Sequence, residues 1–361
     1  MQSIKFKAQN QTEDKIFKNA INEVVTAYFR EKNISRFANN EMRFKIFFWL
    51  GLWSITYLSF FLFPRWLSEQ PGLLFIILLL HLFIHLMIGT NIAHDANHNS
   101  LFANKKYNKI LSYTFEIIGF SSVAWKILHN KKHHAYVNVL GEDNNVNGGG
   151  IIRLSAKDKW LWFHKYQFIY CFFFYSLSIL NFILIKDFKL LKHYRSGAYN
   201  VSIWDIVRLF TFKILYWVFY LFLPIYFGHY SPALFLSFYF AGQLIIGLVL
   251  ALVFQLLHHF ENTNYPDVTD DIINESWQIN IIKTSCDYAT DTPAINWLFG
   301  GANYHITHHL FSNICHVHYA GLTEKLKIKV LSMGYKYNEF RTFRAAYSAH
   351  IHELKKLGRE N

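Results

Sequence analysis

Histidine is the residue type that most clearly indicates chemistry in this sequence, because eight of its 19 histidines fall into three short clusters. On a helix, residues three or four positions apart are neighbours, with about 5–6 Å between their Cβ atoms. Two imidazoles of one cluster can therefore reach a single metal ion. The clusters are His94-Asp-Ala-Asn-His98, His129-Asn-Lys-Lys-His133-His134 and His305-Ile-Thr-His308-His309.

The number of clustered histidines favours two metal ions over one. A structural zinc ion takes about four ligands and a catalytic zinc ion about three, which is fewer than the clusters offer. Imidazole binds zinc, copper, iron and nickel well, and none of the three cysteines, Cys171, Cys286 and Cys315, lies in a cluster. A nitrogen-ligated pair of redox metals beside a lipid phase would suit O₂ activation on an apolar substrate.

The composition indicates that these clusters are positioned by membrane helices. Of the 361 residues, 52% are hydrophobic and only 17% are charged, whereas soluble domains carry about 25% charged residues. This composition excludes a disordered chain, a coiled coil and a nucleic-acid-binding tail, and three cysteines exclude a disulfide scaffold. The net charge of +12 fits the basic cytosolic flanks of membrane spans.

The apolar runs predict an all-α integral membrane protein with four transmembrane helices, each long enough to cross about 30 Å of hydrocarbon. A further apolar run, 166–185, is predicted to be an interfacial or re-entrant helix, because a fifth span would place the basic segment 186–208 outside. The predicted regions are an N-terminal arm, 1–45, spans at about 46–64, 72–93, 209–228 and 233–257, an insert, 94–208, and a C-terminal region, 258–361. The arm, the insert and the C-terminal region then share the cytosolic side, where a helical cap carries the two-metal site.

His81 and His85 repeat the four-residue spacing but lie inside the second predicted span. On a straight helix at about 100° per residue, His85 is on the opposite side from His94. These two residues are therefore predicted to be a buried polar pair rather than metal ligands.

The clusters and their surroundings resemble the membrane fatty acid desaturase superfamily, most closely its bacterial acyl-CoA and linoleoyl-CoA type members. The resemblance extends from about residue 20 to residue 357. It is carried by the segments HDANHNSLF, WKILHNKKHHAYVN, WFHKYQFIY, FQLLHH and NYHITHHLFSNICHVHY.

The resemblance implies a non-haem di-iron centre with O₂ as co-substrate. Within the segment Gln255-Leu-Leu-His258-His259 it favours His258 as a ligand, with His259 as the alternative. Asp95, Asn97 and Asn138 are expected either to hydrogen-bond ligand rings or to cap helix ends, and Trp125 and Tyr304 either to line an acyl tunnel or to pack. The implied iron ligands are His94, His98, His129, His133, His134, His258, His305, His308 and His309.

The implied activity is O₂-dependent desaturation of an acyl chain carried by CoA, by acyl carrier protein or by a phospholipid. The chain has no His-Pro-Gly-Gly haem motif, so a separate ferredoxin or cytochrome b5 type donor is expected. The expected location is a bacterial inner membrane, with the active site on the cytosolic face and no nucleic-acid partner. Family members often have Gln where this chain has His305, which leaves the double-bond position open, and also hydroxylase or acetylenase chemistry. A membrane zinc hydrolase or metal transporter is the remote alternative. The ligands of a transporter lie near the bilayer midplane, whereas these clusters flank the predicted spans and stay on one side of the membrane.

Overall fold

The computed structural model describes residues 4–359 except 196 and 198. The outermost residues of the predicted N-terminal arm and C-terminal region, and two residues of the predicted insert, lie outside the described part. The chain forms two compact units. One, here called the membrane unit, comprises Asn40–Ile127 and Phe172–Leu252; the other, the histidine unit, comprises Met1–Asn39, Leu128–Cys171 and Val253–Asn361.

Four helices of the described chain are long and apolar enough to cross a membrane, which confirms the predicted all-α, four-span fold. A fifth candidate exists only if the helix pair Trp162–Ser176 and Ser178–Arg195, which is bent by 55°, is counted as one span. That pair contains the run 166–185 of the sequence prediction. The four helices are Asn40–Leu62, Pro71–His98, Ile203–Gly228 and Pro232–His258.

Local sequence signals explain where these helices begin. Pro71 opens its helix at a position where a missing N–H costs nothing. Ser202 caps the third helix: its hydroxyl accepts the Asp205 N–H at 3.2 Å, while the Asp205 carboxylate accepts the Ser202 N–H at 2.9 Å. This reciprocal arrangement satisfies two backbone donors that would otherwise be unpaired.

Two of the spanning helices contain π-helical turns, at Gly89–Ala93 and Val218–Phe222. The second turn directly precedes the segment with Pro224, which lacks the backbone N–H of a regular turn. The helix continues through the proline to Gly228, where the predicted span 209–228 also ends.

Shorter helices complete the membrane unit. Ion pairs connect these shorter helices to the third span: buried Lys213 contacts buried Asp187 at 2.8 Å, and partly exposed Arg208 pairs with buried Glu116. These helices are Pro64–Glu69, Lys105–Ser112, Thr114–Ile117, Ser122–Trp125, Ser178–Asn181, the π-helical Phe182–Lys186, and Asp187–Arg195.

The histidine unit is also helical, with two small parallel strand pairs, Lys5–Phe6 with Ile272–Ile273 and Asp287–Tyr288 with Glu339–Phe340. Its main core joins the first helix, through Phe17 and Ile21, to Leu322 and Leu326. Its α-helices are Gln11–Lys32, Trp277–Thr284, Pro293–Leu298, His305–Leu310, Tyr319–Ser332 and Phe343–Leu357, with short 3₁₀ turns at Asn144–Val146, Trp162–Tyr166 and His316–His318. The helix Gln167–Ser176 and the π-helix Lys126–His133 run from one unit into the other.

Candidate metal centre

The third histidine cluster occupies the six-residue helix His305–Leu310, in which every side chain is buried. Its four-residue spacing brings Nε2 of His305 and Nε2 of His309 to 2.9 Å from each other. Asp287 caps the helix by accepting the Ile306 N–H at 2.9 Å and also accepts the Tyr337 hydroxyl at 2.6 Å. Burial raises the pKa of Asp287 to about 7.

The second cluster lies on the π-helix Lys126–His133 rather than on an ordinary α-helix. The His134 N–H therefore donates to the carbonyl of His129, five residues earlier, at 2.9 Å. This wider turn brings Nε2 of His129 to 3.1 Å from Nε2 of His134. The π-turn pairs residues five apart, while the rings of His129 and His133 remain neighbours at 5.4 Å.

Four buried imidazoles of the histidine unit converge on one point. One ring nitrogen from each of His133, His258, His305 and His309 lies within 4.8 Å of the others. Nε2 of His305 is 2.8 Å from Nε2 of His258 and also close to that of His309, yet a single N–H can serve only one of these contacts. A cation at the common centre would satisfy every lone pair, so the donor set fits a metal ion.

A second group of imidazoles adjoins the first. The ring centroid of His134 lies 4.3 Å from that of His309 and 4.7 Å from that of His308, and the rings of His129 and His308 are 5.9 Å apart. The histidine unit thus gathers seven of the nine sequence-predicted ligands. A second metal ion beside the first would have imidazole nitrogens available within this unit.

The first cluster belongs to the membrane unit, directly after the π-turn Gly89–Ala93. The rings of His94 and His98 are 4.7 Å apart, and both meet the edge of Trp125, at 5.5 and 5.6 Å. Asp95 is buried, with Oδ1 3.3 Å from Nδ1 of His94. This is the position expected of a carboxylate that orients a ligand ring.

Several imidazoles are oriented through Nδ1, so that Nε2 can face a metal ion. His133 donates from Nδ1 to the carboxylate of Asp143 at 3.0 Å, and His258 donates from Nδ1 to the carbonyl of Thr284 at 3.1 Å. Nδ1 of His308 lies 3.2 Å from the Tyr319 hydroxyl. Burial lowers the pKa of His309 well below its usual value, so its ring is neutral, as a metal ligand requires.

Asp143 combines complete burial with ionisation. Burial alone would raise its pKa, but the neighbouring charge and hydrogen bond of His133, together with the Asn145 N–H, lower it below the ordinary value. The carboxylate also accepts the Asn138 N–H at 3.0 Å. A buried carboxylate fixed by three donors is a rigid support for the His133 ring.

His258 and His259 have different surroundings. His258 lies in the four-imidazole group, whereas Nδ1 of His259 contacts the Tyr265 hydroxyl at 3.1 Å and Nε2 faces the carbonyl of Asn145 at 3.4 Å. The carbonyl of His259 accepts a hydrogen bond from Nδ1 of His350 at 2.6 Å. The structure therefore places His259 outside the group of converging ring nitrogens.

The other predicted neighbours mostly contact backbone. The Asn138 amide donates to the carbonyls of His258 at 3.3 Å and Asn264 at 3.1 Å, and the Asn97 amide donates to the carbonyl of Ala93 at 2.8 Å. Tyr304 caps the third-cluster helix and its hydroxyl reaches the carbonyl of Thr290 at 3.4 Å. Oε1 of Gln255 is buried without a hydrogen-bond partner among the described residues.

Four residues that position the cluster were missed by sequence reasoning: Asp143, Asp287, Tyr319 and Tyr337. Asp143 comes ten residues after His133 in a polar, glycine-rich stretch that resembles an ordinary flexible loop. Asp287 and Tyr337 are far from any histidine cluster in sequence, and they meet where the strand Asp287–Tyr288 pairs with the strand that begins two residues after Tyr337. Tyr319 ends the segment NYHITHHLFSNICHVHY that carries the resemblance, whereas no local signal marks Asp143, Asp287 or Tyr337.

His81 and His85 form a separate polar pair within the second spanning helix, both buried. Nδ1 of His81 lies 2.8 Å from the Thr56 hydroxyl, and the Trp53 indole donates to Nε2 of His85 at 3.2 Å. Their Nε2 atoms are 3.2 Å apart. Each ring is thus engaged by a neighbouring span, as expected of a buried polar pair.

The chain is similar in sequence to known proteins over most of its length. Residues 70–341 match the fatty acid desaturase family. The chain is 30% identical over 358 residues to the sn-1 linoleoyl-lipid 6-desaturase of Synechocystis, covering 96% of this chain and 97% of that protein. It is 32% identical to the protein of the same name from Arthrospira platensis, covering 94% and 92%. It is 30% identical to the acyl-lipid (8-3)-desaturase of Physcomitrium patens, covering 96% and 72%.

Proposed function

The chain belongs to the fatty acid desaturase family and is a membrane oxidoreductase that desaturates fatty acyl chains, and we propose that its histidines hold two iron ions that act with O₂. The observation that carries this proposal is the convergence of four imidazole nitrogens within 4.8 Å. No thiolate or carboxylate belongs to that group, and an all-nitrogen set of imidazoles suits iron well.

The proposed ligands include all three clusters and the end of the fourth spanning helix. Local geometry supports the seven proposed ligands in the histidine unit. The orientation of His94 by Asp95 supports the two proposed ligands of the first cluster. His258 is proposed in preference to His259 because its ring belongs to the converging group. The proposed set is His94, His98, His129, His133, His134, His258, His305, His308 and His309.

An unactivated C–H bond offers neither an acidic proton nor a leaving group, so bound iron supplies the redox chemistry that side chains lack. The protein's own residues hold the site rigid. Asp143 and Thr284 fix the rings of His133 and His258 through Nδ1, and Asp287 anchors the helix of the third cluster. Such support keeps the ligands in a geometry that needs little rearrangement during turnover.

The stoichiometry of the overall reaction determines how many electrons a partner must supply. Converting –CH₂–CH₂– to –CH=CH– removes two hydrogens, and reducing one O₂ to two waters needs two further electrons and two protons. We therefore propose a separate ferredoxin or cytochrome b5 type donor.

The substrate we propose is an acyl chain esterified to a membrane lipid, with the new double bond at carbon 6. Two near-full-length relatives are named sn-1 linoleoyl-lipid 6-desaturases, and the moss relative is also named an acyl-lipid desaturase. Since these names specify desaturation, we do not propose hydroxylation or triple-bond formation.

We further propose that the chain lies in a bacterial inner membrane with its active site on the cytosolic face. Two short connections join the paired spanning helices, at residues 63–70 and 229–231, and they contain one arginine, Arg65, and no lysine. Basic residues are concentrated in the other connections and termini, as cytosolic flanks require.

Expression in a host that makes linoleoyl lipids, followed by gas chromatography with double-bond localisation, tests this function. We expect a new double bond at carbon 6, absent from cells expressing His308→Ala. Metal analysis of the purified protein should give about two iron ions per chain. One zinc ion and no iron would contradict the di-iron proposal, and a hydroxylated product would contradict desaturation.

A further inference from the structure

A cavity of about 560 Å³ in the histidine unit, with both polar and apolar walls, reaches two of the proposed ligands. Its walls come from the helix Gln11–Lys32, the second cluster, the helix Trp277–Thr284 and the segment after the third cluster. The rings of His134 and His309 line it, together with Lys18, Asn22, Trp277 and Asn313. It is therefore a place where solvent approaches the ligand rings, most of which are otherwise deeply buried.

The lining of the cavity is mixed, with apolar surface from Ile21, Ala135, Leu310 and Phe311 beside the polar Asn130, Gln278 and Ser312. Lys18 is its one charged side chain and no carboxylate lines it. Protein–protein interfaces combine apolar and polar surface in this way, so the lining suits a protein partner, and Lys18 favours a partner with negative charge.

Trp277 connects the cavity to a ligand. Its ring lines the wall, and its indole N–H donates to the backbone carbonyl of His134 at 2.9 Å. The indole is partly exposed, whereas His134 is buried. A partner resting on the cavity would meet His134 at the cavity wall and would also contact the indole that holds its backbone carbonyl.

We propose that this cavity and its rim, with Lys18, Asn22 and Asn313, are the docking site for an acidic, soluble electron-transfer protein. The inference rests on the proposed function, because desaturation needs two electrons per double bond and a donor must approach the ligands from water. A chain of net charge +12 attracts an acidic partner at long range, and Lys18 fixes where that partner settles. The electrons then enter at His134 and His309.

The test uses the full chain in lipid nanodiscs and an acidic [2Fe–2S] ferredoxin with its reductase. Binding of oxidised ferredoxin is measured directly at several salt concentrations, without substrate. Turnover is also measured with ferredoxin and with a small viologen reductant, and the ratio of the two rates is compared between variants. Lys18→Gln removes the positive charge, and Asn22→Asp and Asn313→Asp each add a negative charge to the exposed rim at nearly constant shape.

We expect each variant to weaken ferredoxin binding by about five-fold at low salt and to lower the rate ratio in parallel, because interface charges act mainly on association. The differences should shrink as salt rises. Lys159→Glu is the matched control, since Lys159 is exposed on the same unit but does not line the cavity, and it should leave the rate ratio unchanged.

Unchanged ferredoxin affinity in all three variants would overturn the docking proposal, as would an equal effect of Lys159→Glu. Failure of the proposed function gives a different result: the unmodified chain would form no double bond with either electron source. Because binding is measured without turnover, the two failures are distinguishable.

Discussion

Replacing Asp143 by Asn should weaken metal binding without unfolding the protein. The carboxylate accepts three hydrogen bonds: Oδ2 from Nδ1 of His133 and the Asn138 N–H, both at 3.0 Å, and Oδ1 from the Asn145 N–H at 2.9 Å. An asparagine has one acceptor oxygen, so its NH₂ group must face either the Asn145 N–H or the His133 and Asn138 donors. The substitution also removes the negative charge beside His133.

The expected losses of folding free energy and of metal affinity follow from these three hydrogen bonds. In the better orientation the variant keeps the bond to His133, loses one buried hydrogen bond and leaves the Asn145 N–H unsatisfied, which costs about 1–3 kcal/mol of folding free energy. Losing a group that orients a metal-ligating imidazole typically lowers metal affinity 10–100-fold. We expect Asp143→Asn to lower the iron affinity about 10-fold. Asp143→Ala, which removes all three acceptor contacts, should lower it about 100-fold.

The assay is a competition titration of metal-free protein in nanodiscs with Fe²⁺ and a chelator of known affinity, under anaerobic conditions. Metal content is read by mass spectrometry and folding by thermal denaturation. Asp267→Asn is the matched control, because Asp267 pairs with Lys157 at 2.5 Å but is 89% exposed, and exposed pairs contribute at most about 1 kcal/mol. Wild-type iron affinity in a folded Asp143→Asn protein would refute the role assigned to this carboxylate.

Other substitutions test the rest of the cluster. His258→Ala should lower the iron content per chain, whereas His259→Ala should retain it; the reverse pattern would exchange the two assignments. His308→Ala should abolish desaturation while the protein still inserts into membranes, as shown by membrane fractionation; retained activity would exclude it as a ligand. Tyr337→Phe removes the hydroxyl donor to buried Asp287 and should lower the free energy of unfolding by about 1–3 kcal/mol, an effect absent if that contact does not form. Iron removal by a chelator should shorten the thermal half-life of the wild-type protein, because a ligand bound only to the folded state stabilises that state.

The sequence was sufficient for the parts of the fold that depend on composition and periodicity. Uncharged runs of about 20 residues have one stable solution in a bilayer, and the four predicted spans are present as helices. The helix boundaries were less predictable, because they depend on single contacts. The Ser202 capping arrangement starts the third spanning helix several residues before the predicted span.

Histidine spacing identified the candidate ligands, but could not supply their support. Imidazole clusters are visible in sequence because their members are separated by one helical turn. The groups that hold them are not local: Asp143 reaches His133 from a loop, and Tyr319 reaches His308 from a different helix. Such contacts arise only after the tertiary fold brings distant segments together.

The π-turns show why spacing alone understates what a histidine cluster can do. In an α-helix, His129 would share a face with His133, and His134 would point elsewhere. The five-residue hydrogen bond from His134 to His129 widens the turn so that His129 faces both His133 and His134, with ring centroids at 5.4 and 4.6 Å. One short segment can then supply three imidazoles to adjoining groups, with His133 in the four-imidazole group and His129 and His134 beside His308.

A π-turn also directly precedes His94, so the angular argument that separated His85 from His94 holds only for a straight α-helix. Two of the four π-helical segments in the described part of the chain adjoin or contain histidine clusters. Because π-turns are uncommon overall but often occur at functional sites, this placement favours a backbone shaped for metal binding at these two clusters.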